Sequence, residues 1–173
     1  MKEVETKILE INRKEIEEKL LGLGAKKVFD DVMEAYYFDD KEGSLKKRGI
    51  VLRVRKEADE VYLFVKSNIS KELVKSADET AVKVESFDAL KEILAVLGFF
   101  VKGVSKKKRV MYKSDGVSFC FDKYQGDASF IPEFMEVECK SEEEVMKYVN
   151  LLGFKEEDCK NWTLTELRKH YGQ

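Results

Sequence analysis

Three stretches of this chain repeat one design, and the repeat sets strand direction and side-chain facing together. They run from Glu3 to Gly24, from Ala81 to Gly98 and from Glu136 to Gly153. Each begins as a short strand, passes an Asn or Ser, and continues as an amphipathic helix that stops at Gly. Asn12, Ser86 and Ser141 each stand twelve positions before Gly24, Gly98 and Gly153. Asn and Ser accept hydrogen bonds from the first helical N–H groups, and Gly suits the left-handed position after the last turn. The apolar stripes agree with this reading: Ile16, Leu20 and Leu23; Leu90, Ile93, Leu94 and Leu97; Val145, Val149 and Leu152.

The strands of these units are odd ones. Glu3, Glu5 and Lys7 alternate in the first, Lys83 and Glu85 in the second, and Glu136 and Glu138 in the third. Alternate residues of a strand share a face. Counted back from each cap, all of these charges fall at odd offsets, so the three strands send charges to one side. Val4, Val82, Val84 and Val137 occupy the other side, toward the helices. More strands lie between the units: Ala35 to Asp39, Ile50 to Arg55 with Arg53 and Arg55 on one face, and Val61 to Lys66. Lys106 to Lys113 and Val117 to Tyr124 form a hairpin across Ser114-Asp115-Gly116. Segments 41–48 and 67–80 read as polar loops. None of this has linker composition, so residues 1–173 are expected to form one domain. A short helix is expected between Asn161 and Tyr171.

Lys7, Arg53, Arg55, Lys66, Lys83, Lys107 and Arg109 thus fall on candidate inward positions. So do Glu3, Glu5, Glu85, Asp122, Glu136 and Glu138. A dry core does not hold such a set, because each unpaired buried ion costs several kcal/mol. A closed antiparallel sheet of about eight strands, with helices outside, can hold a polar interior of ligand size. The expected class is therefore α+β, an eight-stranded antiparallel barrel. Carboxylates hold hard divalent cations through oxygen, and Arg and Lys hold phosphate oxygens. Together they suit a polyphosphate with a metal.

Other chemistries are set aside by composition. His170 is the only histidine, which argues against a multi-histidine metal site. Cys120, Cys139 and Cys159 show no CxxC spacing and read as reduced packing residues. A net charge of −2 gives no dominant basic field for nucleic acid. No apolar run reaches membrane-spanning length and no signal-peptide pattern opens the chain, so a cytoplasmic protein is expected.

The ordered motifs resemble those of the CYTH family, the triphosphate tunnel metalloenzymes. They are Glu3-Val4-Glu5-Thr6-Lys7, Leu52-Arg53-Val54-Arg55, Leu63-Phe64-Val65-Lys66, Lys83-Val84-Glu85, Lys107-Lys108-Arg109, Asp122 and Phe134-Met135-Glu136-Val137-Glu138. The resemblance implies a barrel whose tunnel binds a triphosphate with Mg²⁺ or Mn²⁺. It implies metal ligation by Glu3, Glu5, Asp122, Glu136 and Glu138, with Glu85 as a further tunnel acid. It implies phosphate binding by Lys7, Arg53, Arg55, Lys66, Lys83, Lys107 and Arg109. By resemblance to thiamine triphosphatases, Lys66 and Tyr37 would activate water together, the lysine with a lowered pKa.

Size, and helices between strands, resemble the class IV adenylyl cyclase-like subgroup. Bacterial cyclases of that class carry a His-Phe pair upstream of the E-x-E-x-K segment, and none precedes Glu3 here. Lys83 stands where the family often has arginine. Hydrolysis of a small triphosphate is the expected activity; cyclisation of ATP and a non-catalytic polyphosphate- or nucleotide-binding module remain open. Monomer and homodimer are both compatible with the sequence, which shows no recognisable base pocket.

Overall fold

A computed structural model of the chain describes residues 2–172, without the side chain of Lys71. Fourteen elements matter to the argument. In order they are β1 (Lys2–Ile8), α1 (Arg13–Gly22), β2 (Lys26–Asp39), α2 (Ser44–Lys47), β3 (Val51–Glu57), β4 (Glu60–Lys71) and β5 (Lys75–Val84). Then come α3 (Phe87–Val96), β6 (Phe100–Ser114), β7 (Val117–Tyr124), β8 (Phe134–Cys139), α4 (Glu142–Leu151), β9 (Cys159–Lys160) and α5 (Leu164–His170).

Local chemistry starts and stops the helices where the sequence repeat says it should. The side chains of Asn12, Ser86 and Ser141 accept from the N–H of Glu15, Ala89 and Glu144. Gly24, Gly98 and Gly153 all have positive φ, the conformation that only Gly enters without a Cβ penalty. Asp115 and Gly116 also have positive φ, as a two-residue hairpin turn of the right twist requires.

The sheet closes on itself. Antiparallel pairing runs β5-β4-β3-β2-β6-β7-β8-β1, and β1 returns to β5 through Lys2–Glu5 against Asp78–Lys75. β9 adds two residues beside Lys7 and Ile8. The result is an eight-stranded antiparallel barrel with the helices outside it.

Its apolar cores lie between the barrel wall and the helices, not within the barrel. Ile16 and Leu20 of α1 and Val145 and Val149 of α4 pack on Val4, Phe119, Phe121 and Val137. Leu90 and Leu94 of α3 pack on Phe38, Leu52 and Val54. Burying each such side chain is worth about 1.5–3 kcal/mol, so these layers supply the drive to fold. Ile93 and Leu97, which the periodicity placed in the α3 stripe, are instead 56% and 65% exposed. That helix rests on one sheet face only, and two ridges suffice to cover it.

The other correction concerns segment 67–80. It is not a loop: β4 continues to Lys71 and β5 begins at Lys75, with a register shift between Ser67 and Ser70. Both faces of this hairpin are polar, one toward the barrel interior and one toward solvent. The period-two hydrophobic signal that marks a strand is therefore missing.

Candidate active site

β1 and β8 lie side by side with Glu5 opposite Glu138 and Lys7 opposite Glu136. β7 follows, with Cys120 opposite Glu136, and β6 places Arg109 opposite Asp122. Alternation then brings Lys7, Lys107, Arg109, Asp122 and Glu136 together inside the barrel. The Arg109 guanidinium forks onto Asp122, with Nε–Oδ1 2.6 Å and Nη2–Oδ2 2.5 Å, and also bonds Glu136. Lys107 bonds Asp122, and Lys7 Nζ lies 3.0 Å from Glu136. Burial alone would push Glu136 up, but Lys107, Lys7 and Arg109 hold its carboxyl well below the usual range. Burial would likewise lower Lys7, and Glu136 and Glu5 more than reverse it.

The opposite side of the interior is built differently. Lys66 bonds Glu3 and lies 3.1 Å from Glu79, and Lys75 Nζ is 2.6 Å from Glu5. The guanidinium groups of Arg53 and Arg55 sit over the Phe64 ring at 4.8 and 4.2 Å from its centroid. Arg53 is 3.7 Å from Glu79, and Arg55 pairs with Glu57. The Arg53 Nε is buried without a hydrogen-bond partner among the described residues. Glu138 makes no ion pair among them either. Burial, then the carboxylates of Glu3 and Glu5, push it up to about 7.

Tyr37 is buried beside this wall. Ser105 Oγ donates to its hydroxyl at 3.5 Å. Burial would raise its pKa, but Arg53, Ser105 and Lys107 bring the phenol below its ordinary value. Lys66 departs from expectation. Burial would lower it, yet Glu5 and Glu3 raise it, so the lysine is held as an ammonium in this state. Lys66 pairs with Glu3 and Glu79, and Tyr37 with Ser105.

Two further expected residues stand outside the cluster. Lys83 shares strand parity with Glu79 but its side chain is 61% exposed and paired with Glu60. Glu85 lies past the end of β5 and is exposed. The face was read correctly and the depth was not. β5 enters the barrel at Lys75–Glu79, four and more residues before Lys83. Lys75, Glu79 and Glu57 were missed by the sequence reading. Counting by twos from Lys83 finds the first two, and counting by twos from Arg55 finds the third.

The donor set fits a hard divalent cation. Glu3, Glu5 and Glu138 offer oxygen alone, and their mutual repulsion, visible in the raised Glu138, is what a bound cation relieves. Among the described residues no three such groups converge at ligand spacing as they stand. Lys66 and Lys75 hold Glu3 and Glu5 instead.

Residues 1–151 match the CYTH domain. The chain belongs to the CYTH family. A Methanocaldococcus jannaschii relative, whose adenylate cyclase name is provisional, is 24% identical over 97% of this chain and 99% of its own. The solved PH1012 protein of Pyrococcus horikoshii is 28% identical, with a TM-score of 0.76, covering 95% of this chain and 98% of that one. A Hippeastrum protein described as having a dominant triphosphatase activity shares the fold, with a TM-score of 0.67 at 16% identity. That match covers 97% of this chain and 96% of the Hippeastrum one. No helix among the described residues is long and apolar enough to cross a membrane.

Proposed function

We propose that this CYTH protein is a divalent-metal-dependent enzyme that hydrolyses a triphosphate held inside its barrel. One observation carries the reading. Cations from β1, β3, β4 and β6 and carboxylates from β1, β7 and β8 face one another in a space that apolar packing has left to them. Such a space has no use in folding, since comparable apolar residues would be at least as stable there.

Arg53, Arg55 and Lys107 would hold phosphate oxygens, with Lys7, Lys66 and Arg109 exchanging part of their contact with carboxylates for contact with phosphate. Phe64 fixes the two guanidinium heads from behind, so less side-chain freedom is lost on binding. Glu3, Glu5 and Glu138, with Glu136 and Asp122 beside them, would hold Mg²⁺ or Mn²⁺. When bound, the metal stabilises charge on the phosphoryl oxygens. Tyr37, with its pKa lowered by cations, is better suited than Lys66 to accept a proton from water. Lys66 then acts as a fixed positive charge.

ATP cyclisation is the second reading, because the same charges would stabilise attack of a ribose hydroxyl on the α-phosphorus. The full acidic set favours either reaction over a non-catalytic anion module, which needs fewer carboxylates. Incubation with ATP, thiamine triphosphate and inorganic triphosphate, in Mg²⁺ and in Mn²⁺, separates these. Release of orthophosphate is expected. Cyclic AMP and pyrophosphate without orthophosphate would install the cyclase, and no product with either metal would leave the binder.

A further inference from the structure

β9 lies outside the ring of eight strands, along the end of β1, with Lys160 opposite Lys7 and Cys159 opposite Ile8. Ile8 shares the outward facing of Val4 and packs in the layer between barrel and helices. A cleft of about 270 Å³ opens here, between the end of β1, β9 and the last turn of α5. It lies on the outer wall, on the opposite face of β1 from Lys7 and the charged interior.

Its walls combine apolar surface with carboxylates. Ile8, Leu9, Phe154 and Trp162 supply the apolar part, and the Trp162 ring lies against His170, centroids 4.8 Å apart. Glu10, Glu157 and Asp158 supply the charge. Glu10 makes no hydrogen bond or ion pair among the described residues. Glu157 pairs with Lys155 at 3.8 Å, mostly in water, where such a pair contributes little. Asp158 accepts the Lys155 N–H through Oδ2. Lys160 is the cation among the described residues of this cleft, and its ammonium already donates to the Glu157 carbonyl at 2.6 Å. Three carboxylates thus stand against a single ammonium, and that ammonium is engaged elsewhere.

This balance differs from that of the barrel interior. There acids and bases meet in close ion pairs; here acids outnumber the base and stand beside an aromatic ring. A ring and carboxylates together attract organic cations, the ring through its quadrupole and the carboxylates by accepting from N–H groups. A bare metal ion would gain nothing from the aliphatic wall. The volume falls just below the roughly 300–1,000 Å³ of sites for drug-sized ligands, which suits a slender chain. A chain that alternates ammonium groups with methylene stems repeats the alternation of these walls.

We infer that this cleft binds a linear aliphatic polyamine, with its ammonium groups on Glu10, Glu157 and Asp158 and its methylene stems on Trp162 and Leu9. The site is separate from the barrel interior, and the inference stands whether or not that interior holds a triphosphate.

The test is calorimetric titration of spermidine at low ionic strength, without nucleotide, into the full chain, Trp162→Leu, and a double variant joining Glu10→Gln to Glu157→Gln. Both glutamates are exposed, so the double variant serves if the change at Trp162 disturbs folding. Trp162→Leu is expected to raise the Kd about three-fold, the scale of one cation–π contact at a partly exposed site. The double variant is expected to raise it about five- to ten-fold, the scale of two exposed charge contacts. An alkanediol of the same length, which has the stem without the charge, is expected not to bind. A full chain that does not bind spermidine overturns the inference. So does equal affinity in the full chain and both variants, which would move the polyamine to the barrel carboxylates. A loss in the double variant with none in a folded Trp162→Leu reduces the cleft to a diffuse acidic patch and overturns it as well. Binding of the alkanediol as tight as that of spermidine does the same, since charge would then have no part in recognition.

Discussion

The two sides of the barrel interior hold similar charges and treat them in opposite ways. Around Asp122 and Glu136, every carboxylate meets at least two cations: Arg109 and Lys107 on the first, Lys7, Arg109 and Lys107 on the second. Around Glu3, Glu5 and Glu138, three carboxylates crowd together and one is left without a cation of its own. On the first side the protein's own charges satisfy one another. The second is under electrostatic strain, and that strain is where binding energy for a metal is stored. A symmetric ion-pair network would have no such preference for a ligand.

If that contrast is right, its largest effect is on stability. Asp122 has no exposed side-chain surface and carries two cations. Asp122→Ala leaves Arg109 and Lys107 buried against Glu136 alone, and should cost on the order of 3–5 kcal/mol in chemical denaturation. Glu138→Gln is the matching change on the other side. It should leave the metal-free protein as stable as before or more so, because it removes a repelling carboxylate. Similar losses for both variants would erase the distinction between the two sides.

The next effect is on binding. Arg53→Ala and Arg55→Ala should each weaken triphosphate binding about ten-fold or more, the scale of a lost charge-assisted contact, with a smaller change in melting temperature. The two guanidinium groups stack on one ring and repel each other until an anion arrives; for Arg55, burial and then Arg53 lower the pKa. Triphosphate titration beside a thermal melt measures both quantities. Normal binding in either variant would contradict the inward placement of β3.

A smaller effect is the pH dependence of the metal-free protein. Glu138 is raised from 4.5 to about 7 in the folded state, so between those values the folded state holds the extra proton. The stability it contributes is complete below 4.5 and disappears as pH climbs through about 7. Urea denaturation across this range should show the decline. Glu138→Gln should flatten it, and Mg²⁺ or Mn²⁺ should offset it by binding the folded state. Chelation should in turn abolish turnover. A decline that survives Glu138→Gln would assign the titration to another group.

Sequence carried the facing of residues much further than their depth. Parity along β1, β6, β7 and β8 put Glu3, Glu5, Lys7, Lys107, Arg109, Asp122, Glu136 and Glu138 on the correct side of the wall, because pairing is regular along the stretches that carry them. The caps fixed where α1, α3 and α4 begin for a similarly local reason. Depth is not local. Barrel strands tilt by about 35–45° and slide past their neighbours, so which residue of a strand reaches the middle is set by stagger around the whole ring. Lys75 and Glu79 reach it, and Lys83 does not. The cleft beside Trp162 was illegible for the same reason: it is made by β9 laid along the end of β1 and by α5, whose packing no local pattern announces. The raised pKa of Lys66 depends on Glu5 and Glu3 of β1, which barrel closure brings next to β5 and so near β4, where the sequence shows only the basic residues near it in the motif order.

Lys83 therefore gives the finest test of the comparison, since facing and depth make opposite forecasts for it. Facing alone makes Lys83 a phosphate ligand equal to Arg53, so Lys83→Ala would weaken triphosphate binding as Arg53→Ala does. Depth places its ammonium at the barrel mouth on Glu60, mostly in water, where an exposed pair contributes little and is screened by salt. The expected result is binding and melting temperature both unchanged at moderate ionic strength. At low salt a slightly slower association is expected, because a rim cation still attracts an approaching polyanion although it does not hold the bound one. A loss of affinity that persists at high salt would mean that β5 shifts inward when triphosphate binds. The second side of the interior would then be assembled by its ligand, and the contrast with the Asp122 side would be sharper than the present geometry makes it.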